Sequence, residues 1–129
     1  MNRNVAILTL LVGAVLQAEQ GASISHPTDL DSAYQAVLNQ VKKDGAEIES
    51  ASKDAGIKTA VTVTGHYKQT GSYLEITFIS DGPSQTTVRV AAYEEKRYKG
   101  LKTEPWSTPR VNSQQSEAEA TKLKQELGW

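Results

Sequence analysis

At Gly45 the apolar residues of this 129-residue chain change their spacing, and that change points to a fold mixing helix with antiparallel sheet. Before it, Leu30, Tyr34, Val37, Leu38 and Val41 recur at helical intervals, with Asp31, Gln35, Asn39 and Lys42 on the other side. Thr28 with Asp31 three residues later fits a capping arrangement at a helix start. Lys42 and Lys43 suit the negative end of the helix dipole, and Gly45 is a natural terminator. The pattern predicts a helix over about Asp29 to Asp44.

Beyond Gly45 the period is two. Ala46, Ile48 and Ser50 alternate with Glu47 and Glu49, which predicts a short or edge strand. Lys53-Asp54-Ala55-Gly56 is a turn, after which Ile57, Thr59, Val61 and Val63 alternate with Lys58, Ala60 and Thr62. Gly65 to Ser72 reads as a connection. Tyr73 to Ser80 is a strand with Leu74, Ile76 and Phe78 on one side; Asp81 to Ser84 turns the chain. Thr87 to Tyr93 then aligns Val88, Val90 and Ala92. Gly100 to Val111, with Pro105 and Pro109, reads as irregular. Ser116 and Glu119 repeat the capping spacing before a helix carrying Ala120, Leu123 and Leu127 and ending at Gly128. The expected order is αββββα: a two-layer α+β sandwich, with both helices on one face of a four-stranded antiparallel sheet.

This order and its punctuation carry a resemblance. Ala33 to Lys42, Gly45-Ala46-Glu47-Ile48, Lys53 to Ile57, Tyr73 to Ile76 and Thr87 to Val90 resemble the BamC (NlpB)-type envelope lipoprotein domains. The resemblance spans about Leu30 to Leu127 and implies a helix-grip module without catalytic residues, an accessory or structural component of the bacterial envelope.

The N-terminus bears on destination. Arg3 precedes an apolar run from Val5 to Leu16, followed by small and polar residues to Ser25. That length suits a signal-peptide core of about 7–15 residues and falls short of the roughly 20 needed to span a bilayer. Residues 1–25 are therefore expected to be an export signal cut between 18 and 25, leaving 26–129 as one small domain in the periplasm or secreted. Leu11-Val12-Gly13-Ala14 is similar to a lipoprotein signal tetrad, but Ala14 stands where the lipidated cysteine would be, so no stable membrane anchor is expected after cleavage. The chain has no cysteine, so packing must hold the fold. A net charge of −1 gives no reason to invoke nucleic acid.

Chemistry is sparse. His26 and His66 are the two histidines; His66 is expected to be a solvated turn residue, and neither sits in a ligand-like or nucleophile–base spacing. Glu47/Glu49 and Glu94/Glu95 are paired carboxylates expected to be exposed. Gly65, Gly71 and Gly82 are spaced as turns and form no phosphate loop. No enzyme activity and no cofactor are expected. The candidate interaction surface is Tyr93, Lys96, Arg97, Tyr98, Lys99 and Trp106, with Lys102 beside it. Trp106 is expected to anchor its loop against the core, and Trp129 to be exposed or frayed. Lys58, Thr62, Glu75, Thr77 and Arg89 are expected on the solvent face of the sheet. The function expected is a non-enzymatic envelope module contacting an unidentified envelope protein. A small-ligand or lipid binder with a cavity between helices and sheet is the alternative.

Overall fold

The computed structural model describes residues 21–129. The apolar run from Val5 to Leu16, the tetrad ending at Ala14 and the earliest proposed cut after Ala18 lie outside the described residues. The chain is α+β, with two helices and one antiparallel sheet of seven strands among the described residues, where the sequence pattern gave four. In chain order the elements are β1 (Ala22–His26), α1 (Leu30–Lys43), β2 (Ile48–Ser52), β3 (Gly56–Thr59), β4 (Thr62–Thr64), β5 (Lys68–Gly82), β6 (Gln85–Tyr98), β7 (Arg110–Val111) and α2 (Ser113–Leu127).

The sheet runs β1-β6-β5-β3-β2, with β4 on β5 and β7 on β6. Its spine is the β5–β6 hairpin, paired from Lys68↔Tyr98 to Gly82↔Gln85. Both strands are far longer than the apolar alternation implied. Gln69, Thr70 and Gly71, read as a connection, are strand residues. Gly71 is there for space: a Cβ on it would lie 2.9 Å from Val61 Cγ1 and 3.1 Å from Glu95 Cγ.

The expected strand from Ile57 to Val63 is broken in two. β3 pairs with β5 only at Ile57↔Ile76 and Lys58↔Glu75. The Thr59 hydroxyl then accepts the Leu74 N–H at 2.8 Å, in place of a ladder carbonyl. Ala60 donates to Glu47 O instead, and pairing resumes at Thr62↔Ser72. Ile57 and Thr59 are consequently buried, whereas Val61 and Val63 are exposed.

β1 was not anticipated. Ala22↔Val90 through His26↔Thr86 adds it along β6, and Ile24 enters the core at 5% exposure. Gly21 lies so close to β6 that a Cβ would meet Val90 O at 2.1 Å. The folded unit thus includes residues that the sequence assigned to the leader.

Both helices end as their sequences indicate, and α1 also starts where expected, but each is capped by a residue other than the one expected. Asp29, not Thr28, caps α1: its carboxylate accepts the Ser32 N–H at 3.2 Å, and hydrogen bonding by the Ser32 side chain, then by its N–H, lowers its pKa. The Thr28 carbonyl is turned to the buried Thr86 hydroxyl, which donates to it at 2.8 Å. Gly45, at φ +86°, closes the helix as Gly45 N–H reaches Lys42 O and Ala46 N–H reaches Val41 O. Asn112 caps α2 by accepting from Gln115 N at 2.9 Å. Ser116, expected at the cap, lies one turn inside and fully buried; its hydroxyl donates to Asn112 O at 2.7 Å and accepts from Ala92 N at 2.9 Å.

One core joins these elements: Ala33, Tyr34, Val37 and Val41 of α1, Ala120 and Leu123 of α2, and Ile24, Ile57, Ile76, Val88 and Val90 of the sheet. Phe78 meets Tyr34 edge to face at 5.4 Å. Each fully buried Val or Ile contributes about 1.5–3 kcal/mol. Trp129, expected to fray, packs partly against this core and stacks on His26 at 4.1 Å. The terminal residue thereby ties α2 to the end of β1.

Candidate interaction surface

Past the region where helices cover the sheet, β5 and β6 continue as a two-stranded arm, Lys68–Ser72 against Glu94–Tyr98, with β4 alongside. The structure divides the six residues singled out from sequence among three places along β6 and its following loop.

Tyr93 belongs to the outer sheet face. It stacks on Tyr73 at 5.2 Å, and Lys58 Nζ lies 4.9 Å above the Tyr73 ring. Partial burial, together with the negative charge of Glu75, pushes both phenols above their ordinary pKa. Lys58, Glu75, Thr77 and Arg89 are half-buried on this face by strand alternation, and Thr62 is exposed.

Lys96, Arg97 and Trp106 form a strap. The loop after β6 doubles back along the strand: Lys96 N–H donates to Ser107 Oγ at 2.9 Å, and Ser107 N–H to Lys96 O at 2.8 Å. The Arg97 guanidinium lies 4.1 Å from the Trp106 ring centre, and its Nε donates to Gln69 Oε1 at 2.8 Å. Trp106 therefore anchors its loop on an arginine of the arm. It is not part of the core cluster against which the sequence reading placed it.

Tyr98 and Lys99 lie at the arm's end, where residues the sequence reading passed over join them. Lys99 N–H donates to Tyr67 O at 2.8 Å, and Lys68 Nζ lies 5.8 Å from the Tyr98 ring centre. Lys99 bridges Thr103 and closes a turn that carries Leu101 outward. Tyr67 is 70% exposed, Tyr98 54%, and Leu101 fully exposed. His66 is exposed and edge-on to Tyr67 at 6.0 Å, consistent with its reading as a turn residue. A register count from the Asp81–Ser84 turn would have brought Tyr67 and Lys68 opposite Tyr98 and Lys99, had the strands been known to run that far.

A second feature is a cleft of about 530 Å³ between the end of α1, the β3–β4 junction and α2. Its floor includes Val41, Leu74 and Leu123, and its rim includes Asp44, Glu119 and Lys122. At the rim Asp44 and Glu126 share a hydrogen bond, which lowers the Asp44 pKa and raises that of Glu126. Gln40 Nε2 donates to both, at 3.0 and 3.2 Å. No histidine lines the cleft. Among the described residues no group of three or more His, Asp or Glu side chains is arranged to hold a metal ion. Comparison with known proteins finds nothing similar: no protein family, curated protein or solved structure matches the chain.

Proposed function

We propose that this chain is an exported, non-enzymatic envelope domain that works by surface contact through the end of the β5–β6 arm. The observation carrying the reading is the gathering of exposed Tyr67, Tyr98 and Leu101 at one end of the molecule. Large apolar side chains left together in water mark contact surfaces more often than they serve stability. The arm is also held in shape before any partner arrives, by Arg97 on Trp106 and the Lys96–Ser107 bonds. Preorganisation of this kind lowers the entropy cost of binding. The helices meet one face of the sheet in a common core, which supports a two-layer sandwich.

The test is a photoreactive side chain at position 98 and, separately, at position 77 on the outer face, in cells making the exported protein. A discrete adduct with an envelope component from position 98 and none from 77 is the expected result. Equal labelling from both, or none from either, would contradict the reading. The 530 Å³ cleft favours a second reading, a small-ligand domain, because its apolar floor and charged rim offer both burial and orientation. Calorimetric binding of a small molecule, abolished by Leu123→Trp, would support it.

A further inference from the structure

We infer that the arm end docks on an anionic lipid surface, with Leu101, Tyr67 and Tyr98 entering the headgroup layer and the surrounding lysines meeting its negative charge. This rests on the proposal that the arm end is the working surface, and it names the partner.

Charge is segregated along the molecule. At the arm end, residues 66–70 and 96–104 carry Lys68, Lys96, Arg97, Lys99 and Lys102 against Glu104 alone, a net +4. The other described residues carry 8 basic and 13 acidic side chains, a net −5. A neutral-looking composition therefore conceals a molecule with one positive end. Glu94 and Glu95 adjoin Lys96 and Arg97 and offset part of their charge, but they do not reach the tip that carries Lys68, Lys99 and Lys102. At about 3.4 Å per residue they sit roughly 10–14 Å behind Tyr98 along the strand, beyond a Debye length of about 8 Å at physiological salt. The exposed ends of Lys68, Lys99 and Lys102 are thus free to act on a negative surface, while the acidic body is repelled and turned away from it.

The apolar part fits the same partner. Tyrosine combines a ring with a polar tip and collects at membrane–water boundaries. Leu101 stands at the crest of its turn with nothing over it. Three such side chains on a convex end fall well short of the roughly 800 Å² per partner typical of a stable protein interface. A lipid surface asks for less: a few inserted side chains and several cations, each Lys or Arg near the surface being worth about fivefold in affinity. The loop bearing Leu101 is tied at Lys99–Thr103, at Glu104 N–H on Tyr98 O (3.1 Å) and at Ser107, so little ordering is left to be done at the bilayer.

Sedimentation with phosphatidylcholine vesicles, with and without phosphatidylglycerol, tests this across a set of full-length variants, so that any binding by residues 1–20 is common to all. Expected is a preference for the anionic vesicles that weakens with salt. It should fall about tenfold in Leu101→Ser and at least tenfold in the Lys99→Glu/Lys102→Glu pair, but not in Lys42→Glu on α1. These side chains are exposed, so circular dichroism should show each variant folded. Equal binding to both vesicle types, or equal loss in Lys42→Glu, overturns the inference. Failure to bind vesicles alongside a protein adduct from position 98 overturns the lipid partner and spares the arm as contact surface. Failure of both overturns both.

Discussion

The guanidinium of Arg97 lies 4.1 Å from the ring centre of Trp106, at the point where an otherwise irregular loop runs back along β6. Gln69 fixes the same guanidinium from the neighbouring strand. The pair links β5, β6 and the loop outside the hydrophobic core. Replacing Trp106 by Ala should cost about 1 kcal/mol, since exposed cation–π contacts contribute about 0.5–1 kcal/mol and some ring burial is also lost. Urea unfolding would measure that cost. Limited proteolysis should show new cutting between Gly100 and Ser107 with the rest of the chain protected.

Ile24 gives β1 its hold on the core. Ile24→Ala is expected to destabilise by about 2–4 kcal/mol, the range for buried large-to-small changes at a site that can partly relax. Ser23→Ala, on the exposed side of the same strand, should change stability by no more than about 0.5 kcal/mol. Equal effects from the two would mean that β1 is not packed as described.

The proposed export makes the same strand informative about processing. A cut after Ser23 would separate Ala22 from the sheet, and one after Ser25 would remove Ile24 from the core. A cut after Ala18 leaves β1 whole. Ala18 is small at the bond itself, while Leu16 stands at the second position where such sites carry a small residue, so the folding of β1 rather than the site motif favours this cut. Intact-mass spectrometry of the exported protein should give a chain beginning at Glu19. A start at Ile24 or His26 in a folded product would contradict this.

Ser116 is fully buried. Its hydroxyl joins Asn112 O to Ala92 N, pinning the first turn of α2 to β6. Ser116→Ala should cost about 1–3 kcal/mol by leaving the Ala92 N–H buried and without its acceptor. Amide exchange at Ala92 should accelerate along with it.

Asp44 and Glu126 predict a pH effect of definite sign. In the folded chain the Glu126 pKa is raised, chiefly by its hydrogen bond with Asp44. Its stabilising contribution is therefore present below the ordinary glutamate pKa and is lost as pH rises through the raised value. The lowered Asp44 pKa acts in the opposite sense: its contribution is present above the ordinary aspartate pKa and lost as pH falls through the lowered one. Glu126→Gln keeps a donor for Asp44 at every pH and removes one negative charge from the pair. Its Tm should exceed the parent's at pH 7 and converge on it near pH 4. A Tm difference that does not change between those two pH values would exclude the shared proton.

The residues that sequence reading placed correctly are those whose signal is local. α1 follows from one apolar stripe and Gly45, and the inner faces of β5 and β6 follow from Leu74, Ile76, Phe78, Val88, Val90 and Ala92. Helix period, strand alternation and turn chemistry are written in consecutive residues. The arm was illegible because it is flanked by β4 and the Trp106 loop rather than by an apolar helix face, so Gln69, Thr70 and Gly71 lack the alternation that marks a strand. β1 was illegible for a different reason. Ala22 to His26 pairs with residues sixty or more positions away, through backbone bonds that any sequence can make, and Ile24, with half-buried Ala22, is all that carries a core signature. Sequence by itself determined the α+β class, the helix ends and the basic run after Tyr93. The tertiary structure decided which of those cations share an end with Tyr67 and Leu101, because that depends on how far two strands stay paired.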